Sequence, residues 1–403
     1  MKILHVVHGY PPSSGGSQWL VKKISEQLVS RYGDEVTVFS TVAYNMAYFW
    51  GEDSLALPEG QEKINGVTVQ RFPVFNKLNR TRRILAGAAT RLKLPYNDWL
   101  RTFQTGPIIP GMTQAVAHSR ADVVMATAFP LMHMYYALSG AKKGNIPIVF
   151  VGAIHPADRW GYDRKMIYRA IQQVDAYMAQ TQFEKAFLTA RGIDPHKIFL
   201  LGGGIDRNIF IQADGSLLRK EYGWEESPVI LMLSKHVARK RFDTLLQALP
   251  LVWAKFPNAR LVLAGHKTAY SETIRSRVEQ LAPQEQAKVS LIYNLTETKK
   301  ADLLAACDIF VLPSGEEAFG IVFAEAWACG KPVIGADVGA IASLIDVGRD
   351  GLLFEYGNAG SLAEAILVLL VDEAKRRRMG AAGREKVLAS SYRRRSSSSS
   401  MAI

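Results

Sequence analysis

Short apolar and β-branched runs alternate with helical patterns through most of the chain, and this alternation constrains the fold more than any other feature. In the first half, the predicted strands are Ile3–Val7, Glu35–Ser40, Val67–Phe72, Asp122–Ala126, Pro147–Val151, Ala176–Ala179 and Ile198–Leu201. In the second half, they are Val229–Leu233, Arg260–Ala264, Val289–Ile292, Ile309–Leu312 and Pro332–Gly335. Strands separated by helices are typical of βαβ units, in which the strands pair in parallel. The sequence therefore predicts an α/β fold built on parallel sheets.

The alternation stops and restarts near Gly202–Gly204, where we place a domain boundary. A chain of 403 residues is long for one domain, because single hydrophobic cores rarely grow beyond about 250 residues. We predict an N-terminal domain over 1–203 and a C-terminal domain over 204–390. Residues 391–403 are basic and serine-rich, and since such a composition cannot pack a core we expect a disordered tail.

Residues 44–105 break the alternation, being aromatic, basic and rich in turn residues. We predict an irregular insertion outside the sheet, of the kind that serves a ligand or a surface. Ligands of doubly wound domains bind where strands lead into helices at their carboxyl ends. For two such domains in tandem, we expect the site in the cleft between them.

Composition excludes several classes of protein. Only two cysteines occur, Cys307 and Cys329, outside any Cys/His cluster, which argues against a disulfide scaffold or a structural zinc site. The start of the chain reads as a strand rather than a signal peptide, and no run of about 20 apolar residues predicts a membrane span. We therefore expect a cytoplasmic protein.

The chain carries a formal net charge of +12, and part of that charge is concentrated between residues 63 and 93. This stretch contains no Asp or Glu, and apolar residues such as Ile84, Leu85 and Leu92 interleave with its cations. It predicts either a solvated basic face or a surface for anionic membrane, with peripheral attachment to the inner face of the cell membrane. Nucleic acid is not expected as a partner, because no nucleic-acid-binding motif accompanies the charge.

The strongest local signal is the segment from Glu317 to Glu325, which lies between an apolar strand and a predicted helix. Gly320 permits close backbone approach, and the amides of Phe319, Gly320 and Ile321 would face an anion at the helix start. Carboxylates eight residues apart on such a segment can accept hydrogen bonds from hydroxyl groups of a sugar and a ribose. The alternative is a helix that carries two unrelated surface glutamates.

A second signal follows the strand Val229–Leu233, where Ser234, Lys235 and Lys240 precede a helix. Cations at this position suit a diphosphate, because the charge that develops on a leaving phosphate needs fixed positive groups beside it. The alternative is a solvated basic loop.

In the first half, Gly15 and Gly16 join the first strand to the first helix, which suits a loop pressed against a phosphate or a sugar. A tight turn without function is the alternative for this pair. His155 follows the strand Pro147–Val151 at the edge of the expected cleft. An isolated histidine is more often structural, so its spacing alone leaves its role open.

Together these segments resemble the retaining glycosyltransferases of the family 4 type, which have the GT-B fold. Glu317 to Glu325 resembles their E-x7-E motif, Ser234 to Lys240 resembles their G-R-L-x-x-x-K segment, and Gly15-Gly16 resembles their first-loop glycine pair. The resemblance implies two Rossmann-like parallel-sheet domains that face each other across a cleft. The C-terminal domain would bind most of the nucleotide.

The resemblance also implies residue roles. Glu325 would hold the donor ribose and Glu317 the transferred sugar, while Lys235 and Lys240 would bind the diphosphate with the amides of Phe319, Gly320 and Ile321. Ser234 and Gly15 belong to the same donor-binding loops, Gly16 would approach the phosphates from the other domain, and His155 would contact the sugar. No metal or other cofactor is expected, and the sequence contains no Asp-x-Asp. In this family the leaving phosphate itself is taken to accept the acceptor proton.

The chain departs from the family pattern at several positions. Lys235 stands where the family usually has Arg, which removes bidentate geometry. Arg241 and Asn294 each stand where the family usually has Gly, and His266 replaces an acidic residue near the expected nucleobase.

The sequence thus predicts a metal-independent retaining hexosyltransferase with a nucleoside-diphosphate sugar donor, expected to be UDP-linked. The acceptor would be a hydroxyl group of a glycan or lipid-linked intermediate, as in polysaccharide biosynthesis. Two alternatives stay open: a catalytically silent sugar-nucleotide-binding protein, and a transferase that acts on a small soluble acceptor. A nicotinamide-dependent dehydrogenase is disfavoured, because neither half opens with G-x-G-x-x-G and a later acidic residue.

Overall fold

The computed structural model of the chain describes residues 1–13, 15–95, 97–156, 158–202 and 204–396. The chain divides into two compact units, Met1–Leu201 and Gly202–Ile403. The predicted boundary at residue 203 is itself outside the described residues.

The N-terminal unit is built on an eight-stranded sheet in the order β3-β4-β2-β1-β5-β6-β7-β8. Its strands are β1 (Lys2–Val6), β2 (Glu35–Thr41), β3 (Gly60–Ile64), β4 (Val67–Phe72), β5 (Val123–Thr127), β6 (Ile148–Val151), β7 (Ala176–Ala179) and β8 (Ile198–Leu200). Its helices are α1 (Gly16–Tyr32), α2 (Asn79–Arg91), α3 (Asn97–Thr105), α4 (Met112–Ala117), α5 (His133–Lys143), α6 (Arg159–Tyr162), α7 (Lys165–Gln172) and α8 (Gln182–Thr189). All paired strands are parallel except β3, which runs antiparallel to β4.

The C-terminal unit is built on a six-stranded parallel sheet in the order β11-β10-β9-β12-β13-β14. Its strands are β9 (Val229–Leu233), β10 (Arg260–Gly265), β11 (Val289–Tyr293), β12 (Ile309–Leu312), β13 (Val333–Ala336) and β14 (Gly351–Phe354). Its helices are α9 (Arg207–Ile211), α10 (Ser216–Glu221), α11 (Phe242–Trp253), α12 (Tyr270–Glu279), α13 (Pro283–Gln286), α14 (Glu297–Ala306), α15 (Ile321–Ala328), α16 (Gly339–Leu344), α17 (Ala359–Val371) and α18 (Glu373–Ser396).

Apolar sequence explains the centre of each sheet. Every residue of β9 and of β12 is buried, and both strands are continuous apolar runs. A parallel strand covered by helices on both faces needs this composition rather than alternation. The predicted α/β fold with two Rossmann-like parallel sheets is confirmed.

Two predictions about irregular regions were wrong. Residues 60–64 of the supposed insertion 44–105 form an unpredicted strand, β3, which pairs with the predicted strand β4 at the edge of the sheet. The segment is therefore not outside the sheet, and Val67 and Val69 of β4 alternate with less buried residues and pack on the core. Between residues 73 and 105, two helices form, α2 (Asn79–Arg91) and α3 (Asn97–Thr105). At the other end, α18 continues to Ser396, so residues 391–396 are helical rather than disordered, and 397–403 are outside the described residues.

Candidate active site

The loops after β9 and β12 lie at the point where the order of the C-terminal sheet reverses. β9 pairs with β10 on one side and with β12 on the other, and the next strands continue outward from each. Loops that leave two neighbouring parallel strands for opposite faces of the sheet open a crevice at the carboxyl edge. The Ser234–Lys240 and Glu317–Glu325 segments follow these two strands, so both predicted motifs reach the same crevice.

An ion pair joins the two motifs. The Lys240 ammonium contacts Oε1 of Glu317, and each side chain is only 12% exposed. Lys240 ends a short 3-10 turn, Ala238–Lys240, that precedes α11. Beside this pair, Nη1 of Arg239 lies 4.0 Å from Oε2 of Glu316 at a more exposed position. The lysine loop and the first glutamate are therefore in contact within this one unit.

Backbone geometry at Gly320 starts helix α15. Gly320 is the N-cap residue with φ of 76°, in the left-handed region that a side chain disfavours. A Cβ atom at this position would meet the ring of Phe323 at 2.7 Å. The amides of Gly320 and Ile321 have no carbonyl partner inside the helix, because they precede its first hydrogen-bonded turn. Together with that of Phe319 just before them, they remain candidates for phosphate binding.

Glu325 lies on α15 and is 2% exposed. Its Oε1 accepts a hydrogen bond of 2.7 Å from Nζ of Lys300 on α14. Its Oε2 is buried and has no hydrogen-bond partner in the described part of the chain. Burial raises the pKa of Glu325, and the neighbouring ammonium of Lys300 acts against that rise. A buried carboxylate with one unpartnered oxygen can accept a hydroxyl hydrogen bond from a ligand.

Lys300 is a neighbour of Glu325 that sequence reasoning missed. Its ammonium is also 3.0 Å from Oε2 of Glu297, one turn away on α14, and its side chain is 18% exposed. Burial acts to lower the pKa of Lys300, but Glu325 and Glu297 outweigh that effect and raise it. No sequence spacing links residues 300 and 325, because their contact arises from the packing of α14 on α15.

The structure gives Lys235 a different environment from Lys240. Lys235 is exposed and has no ion-pair partner among the described residues. Its backbone carbonyl accepts a hydrogen bond of 3.3 Å from Oγ of Ser234. Its ammonium is therefore available to a ligand, and its role in phosphate binding stays a prediction.

Two departures from the family pattern occupy left-handed backbone. Arg241 has φ of 57° and Asn294 has φ of 52°, at positions where glycine would be unstrained. This conformation costs an ordinary residue roughly 1 kcal/mol. Arg241 forms an ion pair of 3.1 Å with Asp243, and Oδ1 of Asn294 accepts a hydrogen bond from the amide of Lys267. Both residues thus adopt the left-handed backbone that glycine would provide.

In the N-terminal unit, Gly15 and Gly16 begin α1 at the carboxyl end of β1. Gly15 is the N-cap in extended backbone, and a Cβ atom there would meet Oε1 of Gln18 at 2.4 Å. A Cβ atom at Gly16 would meet no described residue within 4 Å. Gly15 is thus explained by packing against Gln18, whereas no contact among the described residues explains Gly16. Its approach to a phosphate stays a prediction.

His155 follows β6 at the same carboxyl edge of the N-terminal sheet. It is half-buried, and its ring packs edge-on against Tyr162 with 5.2 Å between the ring centroids. This contact fixes the ring near the strand end but assigns it no ligand. Its contact with a sugar stays a prediction.

None of the helices in the described ranges is long and apolar enough to cross a membrane. Across the same ranges, no three or more His, Cys, Asp or Glu side chains are grouped to hold a metal ion.

Comparison with known proteins covers both units. Residues 14–208 match the family model described as Glycosyltransferase Family 4, and residues 216–386 match the model described as glycosyl transferases group 1. An N-acetyl-alpha-D-glucosaminyl L-malate synthase of Bacillus anthracis is 30% identical over 278 residues, which are 66% of this chain and 71% of that protein. A phosphatidyl-myo-inositol mannosyltransferase of Propionibacterium freudenreichii is 32% identical over 214 residues, which are 51% of this chain and half of that protein.

Solved structures support the same fold. The structure of Anabaena HepE in complex with UDP and glucose has a TM-score of 0.69 at 20% identity, covering 96% of this chain and 94% of that one. A sucrose-phosphate synthase of Thermosynechococcus elongatus has the same score, identity and coverage.

Proposed function

This chain belongs to the glycosyltransferases of the family 4 type with the GT-B fold, and on that premise we propose that it transfers a hexose from a nucleoside-diphosphate sugar. The acceptor is a hydroxyl group of a glycan or lipid-linked intermediate, and the configuration of the sugar is retained. The observation that carries this proposal is the meeting of Lys240 with Glu317 at the crevice after β9 and β12. Anabaena HepE, which shares the fold, is described with UDP and glucose bound, and this supports a UDP-linked donor.

The proposed reaction breaks the bond between the anomeric carbon and the β-phosphate oxygen of the donor. The acceptor oxygen attacks the face of the sugar from which the diphosphate leaves, and its proton passes to the departing phosphate oxygen. Lys235, Lys240 and the amides at Gly320 and Ile321 stabilise the charge that develops on the diphosphate. Since these groups supply the positive charge, we propose that no metal ion is required.

The carboxylates recognise hydroxyl groups in this proposal. When the donor binds, the Lys240 ammonium exchanges Glu317 for the diphosphate as its partner. Glu317 then accepts hydrogen bonds from the transferred hexose. Glu325 accepts a hydrogen bond from the ribose through Oε2. Gly16 and His155 contribute from the N-terminal unit, Gly16 at the phosphates and His155 at the sugar.

A small soluble acceptor is a second candidate for this enzyme. The relative from Bacillus anthracis is named for a reaction with L-malate, and its alignment reaches 71% of its length. Screening glycans, lipid-linked intermediates and hydroxy acids with radiolabelled donor distinguishes the two candidates by the product formed.

We also propose peripheral attachment to an anionic membrane surface through residues 63–93. In α2, Ile84 and Leu85 are 62% and 53% exposed, and the exposed Arg80 and Arg83 lie beside them. Attachment by this surface would place a cytoplasmic enzyme beside a lipid-linked acceptor.

Calorimetry with UDP, GDP and ADP on the wild type and on Glu325→Ala tests the donor site. We expect one nucleotide to bind preferentially and Glu325→Ala to weaken it by more than about tenfold, the value of one charge-assisted hydrogen bond. Absence of nucleotide binding by the wild type would contradict the proposal. Binding without donor hydrolysis or transfer would identify a catalytically silent sugar-nucleotide-binding protein instead. Product NMR then reports retention, and activity in EDTA reports metal independence.

A further inference from the structure

The contact between Lys300 and Glu325 has a one-sided geometry. Nζ of Lys300 lies 2.7 Å from Oε1 of Glu325, while Oε2 has no hydrogen-bond partner in the described residues although it is buried. The ammonium also contacts Glu297 at 3.0 Å and lies 5.2 Å from the ring centroid of Phe210 on α9. Lys300 is therefore held between α14, α15 and α9 with its charge directed at one oxygen of Glu325.

Packing alone does not require this arrangement. An apolar pair at positions 300 and 325 would join α14 to α15 at least as well, since a buried ion pair rarely stabilises more than apolar residues of similar volume. A buried carboxylate without a cation would tend to become protonated. The neutral carboxyl group would then present an O–H donor and lose acceptor capacity.

We propose that Lys300 is a positioning residue for the donor ribose: it keeps Glu325 ionised and occupies Oε1, so that Oε2 is left as the acceptor for a ribose hydroxyl group. This inference rests on the proposed function, because it assigns Lys300 to the nucleotide site described there. Lys300 acts through Glu325 and does not itself contact the diphosphate. The consequence is that Lys300 contributes to the preference for a ribonucleotide over a nucleotide without ribose hydroxyl groups.

The test compares binding of UDP and of 2′,3′-dideoxy-UDP by calorimetry at neutral pH. The variants are Lys300→Met, which keeps the length of the side chain without its charge, and Lys300→Arg, which keeps the charge. Lys299→Met is the matched control, because Lys299 is the preceding residue of α14, is exposed, and loses the same charge. If GDP or ADP proves to be the preferred nucleotide, its dideoxy analogue is used in the same way.

For the wild type, we expect UDP to bind more tightly than its dideoxy analogue. Lys300→Met should weaken the binding of UDP about tenfold, the value of a charge-assisted hydrogen bond. It should change the affinity for the dideoxy analogue by no more than about twofold. Lys300→Arg should recover most of the UDP affinity, and Lys299→Met should bind both ligands like the wild type. If Lys300 had a merely structural role, its replacement would change the affinities for the two ligands equally.

Equal weakening of both ligands by Lys300→Met would overturn the inference, because it would place the ammonium at the diphosphate. Unchanged UDP affinity would overturn it as well. If Lys300→Met is unfolded by circular dichroism, Lys300→Gln takes its place with the same expectations. If the wild type binds no nucleotide, both the proposed function and this role of Lys300 are contradicted. A wild type that binds UDP, with Lys300→Met unaffected, removes only the role of Lys300.

Discussion

Two buried arginines of the N-terminal unit have neutral hydrogen-bond partners, whereas two buried carboxylates of the C-terminal unit face lysines. In the N-terminal unit, Arg164 is 1% exposed and donates hydrogen bonds to the carbonyl of Trp160 and the hydroxyl of Thr102, both neutral. Its Nη2 has no hydrogen-bond partner in the part of the chain that the structure describes. Arg82, 4% exposed, likewise donates to the carbonyls of Phe49 and Phe103.

In the C-terminal unit, buried carboxylates face lysines. Glu325 pairs with Lys300, and Asp350, which is 1% exposed, accepts a hydrogen bond of 2.6 Å from Nζ of Lys386. Burial raises the pKa of Asp350, and Lys386 acts against that rise. Removing one partner of such a pair leaves a buried charge of opposite sign, whereas removing a cation with neutral partners leaves none. The two units should therefore respond differently to acid and to loss of a cation.

Acid is expected to produce the largest difference in stability between the two units. The N-terminal unit buries three histidines, and burial lowers the pKa of His5 and of His133 to about 4 and that of His8 to about 3, where His133 also contributes. Below pH 6.5 the unfolded chain binds protons that the folded unit excludes. Its free energy of unfolding should thus fall by about 1.4 kcal/mol per histidine per pH unit until the folded pKa is reached. The total is about 6 kcal/mol at pH 5.

Other groups modify this loss without reversing it. Burial raises the pKa of Glu184 in the N-terminal unit, so the folded unit gains stability only as pH falls through that raised value. In the C-terminal unit the raised pKa values of Glu325 and Asp350 act in the same stabilising direction, while that of His236 is lowered by burial.

Hydrogen exchange by mass spectrometry at pH 7 and pH 5 resolves the two units. We expect residues 1–201 to lose protection first. His133→Asn should reduce the steepness of the loss by about a third, and the exposed His118→Asn should not change it. Earlier loss of protection in residues 202–396 would contradict the comparison.

Loss of a paired lysine is expected to cost more than loss of an arginine with neutral partners. Lys386→Met leaves Asp350 buried and unpaired, which should cost about 3 kcal/mol. Arg164→Met breaks two hydrogen bonds to neutral groups and should cost about 1 kcal/mol. Urea unfolding followed by tryptophan fluorescence measures both, since Lys386 lies over Trp327 and Arg164 over Trp160.

Adding Asp350→Asn to Lys386→Met should restore part of the loss, because it removes the unpaired charge. If Arg164→Met instead costs more than Lys386→Met, Arg164 has an anionic partner and the two units do not differ as described.

These contrasts also show how far the sequence could predict the structure. β9, β12 and β4 were predicted with the observed bounds, because each is an apolar or alternating run bounded by turn residues. β3 was missed, since its sequence Gly60–Ile64 is polar and its residues are exposed or half-buried at the sheet edge. An edge strand of this kind has no apolar pattern, and its pairing with β4 depends on the intervening turn.

The same division applies to the candidate site. Lys240 and Glu317 follow strands with clear signals, so their meeting at the sheet reversal could be anticipated from the loop positions. The contact of Lys300 with Glu325 depends on how α14 packs on α15, and that packing leaves no signal in the spacing of the two residues. Local pattern thus predicts which loops reach the site, while tertiary packing decides which charges are neutralised there.

A smaller effect tests whether pairing in the C-terminal unit depends on burial. A double-mutant cycle with Lys240→Met and Glu317→Gln should give a coupling free energy of about 1–2 kcal/mol without ligand, because both side chains are largely buried. The neighbouring pair Arg239 and Glu316 is 52% and 33% exposed and should couple by less than about 0.5 kcal/mol. Urea unfolding measures both cycles. Equal coupling would mean that position in the loop, rather than burial, sets the strength of the pair.

The smallest effect on stability concerns the exposed face of α2 in the N-terminal unit. Ile84 and Leu85 are more than half exposed, so the double change to serine should alter the free energy of unfolding by less than about 0.5 kcal/mol. Leu217 in the C-terminal unit is 77% exposed, and Leu217→Ser is the matched control. Cosedimentation with vesicles, with and without anionic lipid, then separates function from stability. If α2 binds membrane, the α2 variant loses binding to anionic vesicles while Leu217→Ser keeps it. Equal binding to both kinds of vesicle, or equal loss in both variants, would mean that the cations and apolar side chains of α2 form only a solvated surface. The exposed face of α2 in the N-terminal unit would then contribute no more to membrane binding than the exposed surface of the C-terminal unit.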